Sequence, residues 1–152
     1  MKTLCTWNDK LQFNATTDKH SVTMDAKHPL GLESAPTPKE LLLAALCGCA
    51  GMDVVSLMRK QKQPLEKFSV EAEAHVRAAH PAIFADVHLT FRLQGNLSGE
   101  HVVEAVRLSE TQFCSVAAML SKAVPIHYSV ELNGREISRG QAGFETHIAE
   151  PT

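Results

Sequence analysis

Aromatic residues are scarce in this sequence: one Trp, one Tyr and six Phe make up 5% of its 152 residues. The hydrophobic fraction is nevertheless 44%, so aliphatic side chains must build most of the core. A chain of this length and composition is typical of a globular domain and not of a disordered segment. We therefore predict a single domain over residues 1–152, with its core within about 1–132 and a loose C-terminal tail over 133–152.

Net charge is also small, at −2, which gives no electrostatic basis for binding nucleic acid or an anionic membrane. The N-terminus lacks the continuous apolar segment and the small-residue cleavage site of a signal peptide. The four cysteines, Cys5, Cys47, Cys49 and Cys114, are too unevenly spaced for a secreted disulfide framework. These features predict a cytoplasmic protein with neither a nucleic acid nor a membrane as its partner.

Sequence motifs for cofactors and metals are missing as well. There is no Gly-rich phosphate loop, because Gly48 and Gly51 fall inside a predicted helix. Their spacing suggests instead that another helix passes close to this one. The eight histidines are scattered, without the HxH, HExxH or Cys-His spacings of a metal site. The sequence therefore predicts no cofactor and no metal.

Alternating apolar residues predict strands on both sides of a long apolar helix. Three short strands are expected within residues 2–26, with buried side chains at Leu4, Trp7, Leu11, Phe13, Val22 and Met24. A hairpin is expected from strands over 68–77 and 83–93, then a second helical region from Ser98 and a last strand over 126–132. A break near 109–111 would place Cys114 at the start of a separate helix. The order βββ-α-ββ-α-β indicates an α+β fold.

The long helix is predicted from Thr37, whose spacing to Glu40 is that of a capping box, to about Met58. Asp53 is its only charged residue from Leu41 onward. The run approaches the ~20 apolar residues of a membrane span, but polar residues and glycines dilute it and a basic segment follows. We interpret it as a buried central helix. Since a helix that is apolar on nearly every face must be enclosed, a second copy of the chain is a candidate for the covering surface.

Two cysteines lie in the middle of this helix. Residues two apart on a helix lie roughly 200° apart around its axis, so Cys47 and Cys49 face opposite ways. Cys49 shares its face with Asp53 and Ser56, whereas Cys47 shares its face with apolar residues. Free cysteines usually serve as small buried hydrophobes, and Cys5 keeps that interpretation. If one thiol of the helix is functional, Cys49 is the better candidate.

The segment Thr37-Pro-Lys-Glu-Leu leading to Cys49, together with Phe113-Cys114-Ser-Val, resembles the OsmC/Ohr family, and most of all its less characterised OsmC-like branch. The resemblance covers roughly residues 1–132. It implies an OsmC-like fold in which antiparallel sheets wrap around the two central helices of an intertwined homodimer. It also implies that the sites lie at the subunit interface.

The function that the resemblance implies is reduction of organic (alkyl or fatty-acid) hydroperoxides in antioxidant defence. Cys49 would attack the peroxide, Cys114 would resolve the sulfenic acid as a disulfide, and an external dithiol would reduce it. Peroxidase members stabilise the thiolate with an N-terminal arginine held by a glutamate. Here the first arginine is Arg59, and the family's glutamate position holds Lys39 followed by Glu40, which makes these two the candidates for thiolate support.

Two alternatives remain open on the sequence. The missing arginine motivates a non-catalytic module that binds a small apolar ligand at the dimer interface. A thiol redox sensor, oxidised slowly and without turnover, is the other.

Overall fold

The structure, a computed structural model, describes residues 1–145. This part of the chain contains seven strands, three α-helices and one π-helical turn. In chain order they are β1 (Leu4–Asp9), β2 (Gln12–Thr16), β3 (Ser21–Met24), α1 (Pro38–Lys60), β4 (Leu65–Val76), β5 (Phe84–Gly95), α2 (Gly99–Leu108), the π-helical turn (Ser109–Phe113), α3 (Ser115–Leu120), β6 (Ile126–Leu132) and β7 (Arg135–Gln141). They form two compact units, Met1–Ala44 and Ala45–Thr152, whose boundary falls within α1.

The first unit contains an antiparallel meander in the order β1-β2-β3, which confirms the three predicted strands. The burial predicted for this sheet is wrong for the single chain. Exposed side chains include those of Leu4, Trp7, Leu11, Phe13 and Val22, and only Met24 is half-buried. Alternation along a strand identifies an apolar face but not the surface that covers it.

A buried carboxylate holds the loop between β3 and α1. Asp25 is 2% exposed, and its oxygens accept hydrogen bonds from the backbone N–H groups of Ala26, Leu32 and Ser34. The Ser34 hydroxyl also donates to it at 2.7 Å and is the main cause that lowers the pKa of Asp25. The loop therefore closes on one ionised group before the chain enters α1.

The start of α1 confirms the predicted capping box. The Glu40 carboxylate accepts from the Thr37 N–H at 2.8 Å, and the Glu40 N–H donates to the Thr37 hydroxyl at 3.3 Å. Thr37 is the first cause of the lowered pKa of Glu40, and an exposed ion pair with Lys27 at 3.2 Å adds to it. Arg59 and Lys60 end the helix, where cations favour its dipole.

The second unit contains a mixed sheet in the order β4-β5-β6-β7. The β4–β5 hairpin is antiparallel as predicted, whereas β5 and β6 are parallel because α2 and α3 connect them. β7 pairs antiparallel with β6, so the prediction of a loose tail is wrong for Arg135–Gln141. Residues 146–152, the rest of that predicted tail, lie outside the described residues.

The core of this unit is aliphatic, as the composition predicts. Its buried strand residues include Val87, Leu89, Phe91, Leu93, Ile126 and Val130. α1 contributes a stripe at four-residue intervals, formed by Leu46, Ala50, Val54 and Met58.

The enclosure predicted for α1 is incomplete in the single chain. The Met52 side chain is 75% exposed, and by length and composition the helix could cross a membrane. Its buried residues form a single stripe, and only 22% of its most apolar 18-residue window is buried, so most of the helix lacks a covering surface in the single chain.

The π-helical turn confirms the predicted break in the second helical region. The Cys114 N–H bonds to the Ser109 carbonyl five residues back at 2.9 Å, and Cys114 then becomes the N-cap of α3. Its Sγ accepts from the Ala117 N–H at 3.4 Å. The turn also buries Glu110 completely, and burial is the main cause that raises the pKa of this carboxyl to about 7.

We expect Gly140→Ala to destabilise the protein, because β7 packs its backbone against Tyr128. An added Cβ would lie 2.9 Å from Tyr128 Cε1 and closer still to the ring hydroxyl. Overpacking of this kind costs about 1–3 kcal/mol. Gly143→Ala is the matched control, since a Cβ there meets no atom within 4 Å. Urea unfolding measures both variants. Equal stabilities would show that β7 does not pack as described.

We expect Glu110→Gln to change how stability depends on pH. The pKa of Glu110 is about 7 in the folded chain against an ordinary value of 4.5, so folding retains a proton that the unfolded chain releases. The free energy of unfolding of the wild type should therefore fall, relative to Glu110→Gln, as pH rises from about 4.5 to about 7, by on the order of 3 kcal/mol.

Urea unfolding at several pH values checks this expectation. Glu110 also interacts electrostatically with Asp53, Cys114 and Tyr128. The free energies of unfolding of the variants are therefore compared with that of the wild type at the same pH. The control is Glu100→Gln, at an exposed glutamate of α2. A difference between Glu110→Gln and wild type that stays constant with pH would contradict the assigned pKa.

Candidate functional site

The structure brings together the two cysteines selected from the sequence. Cys49 Sγ, Cys114 Sγ and a carboxylate oxygen of Asp53 all lie within 4.8 Å of one another. Cys49 is half-buried and Cys114 is fully buried, and both are free thiols. The Ser115 hydroxyl lies 3.8 Å from Cys49 Sγ. The sulfur atoms are thus close enough for a small side-chain movement to join them.

Local structure explains this meeting. Cys49 and Asp53 are four residues apart on α1 and therefore project from the same face. The π-helical turn ends at Cys114, the N-cap of α3, and so places its side chain against that face. Cys47 lines a different surface, with Phe68 and Val70 of β4. The two cysteines therefore face different surfaces, as helical phase predicts; that Cys49 is the functional thiol stays a prediction.

Burial and neighbouring acids dominate the electrostatics of the site. Burial is the main cause that raises the pKa of Cys114 to about 12; Cys49 and Glu110 contribute to the rise, and the hydrogen bond from the Ala117 N–H opposes it. Burial also raises the pKa of Asp53, against a hydrogen bond from Ser109 that lowers it. Among the described residues, no Lys, Arg or His contributes to these shifts. The site therefore disfavours the ionised forms of Cys114, Asp53 and Glu110 relative to solvent.

Ser109 connects α1 to the π-helical turn. Its hydroxyl oxygen lies 3.4 Å from the Ala50 carbonyl, 3.3 Å from Asp53 Oδ2 and 3.5 Å from Glu110 Oε1. Glu110 Oε2 is buried without a hydrogen-bond partner. Sequence reasoning missed both Ser109 and Glu110. The available signal was their position at the predicted helix break, where the polar run Ser109-Glu110-Thr111-Gln112 interrupts the helical spacing of apolar residues.

Lys39 and Glu40, the residues predicted to support the thiolate, lie in the first turn of α1. The Glu40 carboxylate is engaged by Thr37 and Lys27, as a cap residue would be. Support of the Cys49 thiolate by Lys39 or Glu40 stays a prediction.

An open apolar groove of about 650 Å³ lies between α1 and β4. Residues that line it include Cys47, Gly51, Met52, Val55, Phe68 and Val70. Burial raises the pKa of the Cys47 thiol. A Cβ on Gly51 would contact Phe68 and Val70, whereas one on Gly48 would meet no atom within 4 Å. Within the described residues, therefore, no second helix of this chain approaches α1 at Gly48.

Comparisons with known proteins agree with this architecture. The family model described as "OsmC-like protein" matches residues 31–129. Protein YhfA of Escherichia coli K12 is 35% identical over 128 residues, which are 83% of this chain and 93% of the relative. A hypothetical protein from Aquifex aeolicus superposes with a TM-score of 0.78 at 24% identity, over 87% of this chain and 95% of that one.

An organic hydroperoxide resistance protein, OsmC, from Legionella pneumophila shares the fold at 17% identity. Its TM-score is 0.64, and the match covers 86% of this chain and 97% of that one. The family match extends from the loop before α1 into β6, and so includes Cys49, Asp53 and Cys114. The fold and the family predicted from the two cysteine segments are confirmed: the chain belongs to the OsmC-like family, with OsmC and Ohr proteins as its structural neighbours.

Proposed function

We propose that this protein reduces organic hydroperoxides with Cys49 as the attacking thiol and Cys114 as the resolving thiol. The observation that carries the proposal is the approach of the two sulfur atoms to within 4.8 Å at the meeting of α1 and α3. Similarity of fold to the Legionella hydroperoxide resistance protein supports the same redox role in stress response. The substrate is a small hydroperoxide with an alkyl or fatty-acid chain.

The chemistry balances with the two thiols and one external dithiol. The Cys49 thiolate attacks the terminal peroxide oxygen, the O–O bond breaks, and the alkoxide takes a proton to leave as the alcohol. Cys49 is then a sulfenic acid. The Cys114 sulfur attacks the Cys49 sulfur, a disulfide forms and water leaves. Exchange with the external dithiol returns both cysteines to thiols and carries the two electrons of each turnover.

The difference in exposure between the two thiols supports the proposed roles. Cys49 is half-buried and so accessible, whereas Cys114 is fully buried with a pKa raised to about 12. Burial keeps Cys114 away from substrate in solvent, so its role is the second step. There its proton passes to the hydroxide that leaves the Cys49 sulfenic acid as water, which frees the thiolate that attacks. The Ser115 hydroxyl, 3.8 Å from Cys49 Sγ, is positioned to donate to the Cys49 thiolate. Lys39 and Glu40 are retained as candidates for further support.

A second candidate function is binding of a small apolar ligand without catalysis. The groove of about 650 Å³ between α1 and β4 favours it, because its lining is mainly apolar. A third candidate, a redox sensor, is favoured by the raised pKa of Cys114 and by the acids that surround it. Both alternatives predict that hydroperoxide is not consumed in turnover.

We also propose that the protein is a homodimer with the exposed side of α1 in the interface. Met52 is 75% exposed at the middle of this helix, and Gly48 opens onto space that a neighbouring backbone could occupy. Large apolar surfaces on a folded chain commonly mark association sites. A second copy covering α1 would complete the enclosure that the sequence predicted.

A cytoplasmic location fits this proposal. OsmC proteins are soluble, and α1 buries one stripe of its surface within its own chain. A cytoplasmic protein would keep its thiols reduced between turnovers.

We expect Cys49→Ser to lower turnover of cumene hydroperoxide with dithiothreitol by at least about a thousandfold, as loss of a nucleophile does elsewhere. Cys114→Ser should still react once and leave a Cys49 sulfenic acid that dimedone traps. Cys47→Ser is the matched control, a second thiol of the same helix, and should retain wild-type turnover. Consumption of cumene hydroperoxide by Cys49→Ser at the wild-type rate would contradict the proposal.

The same assay separates the alternatives. Stoichiometric oxidation of wild type without turnover would favour the sensor. No oxidation, together with an apolar molecule retained in native mass spectrometry, would favour the binding module.

We expect Met52→Glu to dissociate the dimer, because it places a charge in the centre of the proposed apolar interface. Sedimentation velocity at micromolar concentration should show a monomer, and circular dichroism should show that the chain remains folded. Glu100→Lys, a charge change at an exposed residue of α2 that does not line the groove, is the control. A Met52→Glu protein that sediments as the wild type does would rule out this surface.

A further inference from the structure

Two thiols and two carboxyls occupy the space where α1 meets the π-helical turn. Cys49 Sγ, Asp53 and Cys114 Sγ present three ligand atoms within 4.8 Å of one another. Glu110 reaches the same cluster through Ser109, whose hydroxyl lies within hydrogen-bond distance of both carboxylates. All four groups are acids. Each becomes a good metal ligand when it loses its proton.

A second observation, separate from the distances between the ligand atoms, is that the hydrogen bonding of the cluster is incomplete. The Ser109 hydroxyl has one proton, but three acceptor atoms lie around it: those of Ala50, Asp53 and Glu110. Glu110 is 0% exposed, and its Oε2 has no hydrogen-bond partner at all. A buried carboxylate oxygen without a partner is costly, and a cation bound nearby offsets that cost.

The donor set selects among cations. Magnesium and calcium prefer oxygen ligands only, whereas thiolates combined with carboxylates suit zinc. Donors at about 2.0–2.3 Å from a tetrahedral zinc lie roughly 3.3–3.8 Å apart. The three atoms here are already within 4.8 Å, so shifts on the order of 1 Å would bring them onto one ion.

We propose that Cys49, Asp53 and Cys114 bind one zinc ion, with the buried Glu110 held beside the site through Ser109. Binding transfers the two thiol protons to solvent and involves no electron transfer. The site was not predicted from the sequence, because its ligands come from two separate segments and none is a histidine.

The inference goes beyond the proposed peroxidase and does not rest on it. The same two sulfur atoms cannot bind zinc and react with a hydroperoxide at once. Zinc therefore competes with oxidation and holds the thiols in their reduced form.

Titration of the wild-type protein tests the site. The protein is reduced with a phosphine and stripped of metal with a chelator, and then titrated with Zn²⁺ and with Co²⁺. We expect one ion per chain, release of two protons measured in weak buffer, and a thiolate-to-cobalt charge-transfer band. Binding without that band, or without proton release, overturns the proposal.

Variants locate the ligands. Cys49→Ser and Cys114→Ser should weaken zinc binding by more than about 100-fold, and Asp53→Asn and Glu110→Gln by about 10–100-fold. Cys5→Ser and Cys47→Ser, which remove the other two free thiols, should bind as the wild type does. Circular dichroism excludes unfolding as the cause of any loss. Wild-type affinity in Cys49→Ser or Glu110→Gln, or a loss in Cys5→Ser or Cys47→Ser, overturns the assignment.

The hydroperoxide assay on chelated protein gives a separate result. Turnover without zinc binding contradicts only the metal site, and zinc binding without turnover contradicts only the proposed peroxidase.

Discussion

The contact between the middle of α1 and the π-helical turn positions the whole candidate site. Ser109 makes this contact, with a hydroxyl that faces the Ala50 carbonyl on α1, Asp53 one turn further on, and Glu110 on its own segment. The contact brings together two carboxyls and two thiols, of which Glu110 and Cys114 are fully buried. No described cation is among the causes of the pKa shifts of Asp53, Glu110 and Cys114. Clusters of acids occur at functional sites, where burial disfavours ionisation until a substrate or an ion changes the balance.

Much of this arrangement could be predicted from the sequence. Helical phase separated Cys49 from Cys47, because residues two apart cannot share a face, and the capping box located the start of α1. The position of Cys114 at a helix start followed from the break before it. Ser109 and Glu110 were not predicted, because no sequence pattern indicates that a polar pair will be buried against a helix distant in the chain. β7 was missed for another reason: Ile137 is its only large apolar residue, so it lacks the alternation of a half-buried strand.

Burial was the least predictable property. Alternation in β1–β3 and the apolar character of α1 correctly identified apolar faces, yet Trp7 is 62% and Met52 75% exposed in the single chain. A periodic pattern shows that a face needs covering but not which molecule covers it. A dimer interface and an apolar ligand would cover different parts of this exposed surface. The first buries the long exposed side of α1, whereas the second fills only the groove beside β4.

The π-helical turn also makes the site sensitive to the length of the chain. A π turn contains one residue more than the α-helical path it replaces, and here that residue sets the rotation at which Cys114 begins α3. Losing one residue between Ser109 and Phe113 would turn Cys114 by about 100° around the helix axis, away from Cys49. The number of residues in this segment therefore decides whether the two thiols come together. A relative with the same two cysteines but one residue fewer here would not bring its thiols into contact, and so could not use them as a pair.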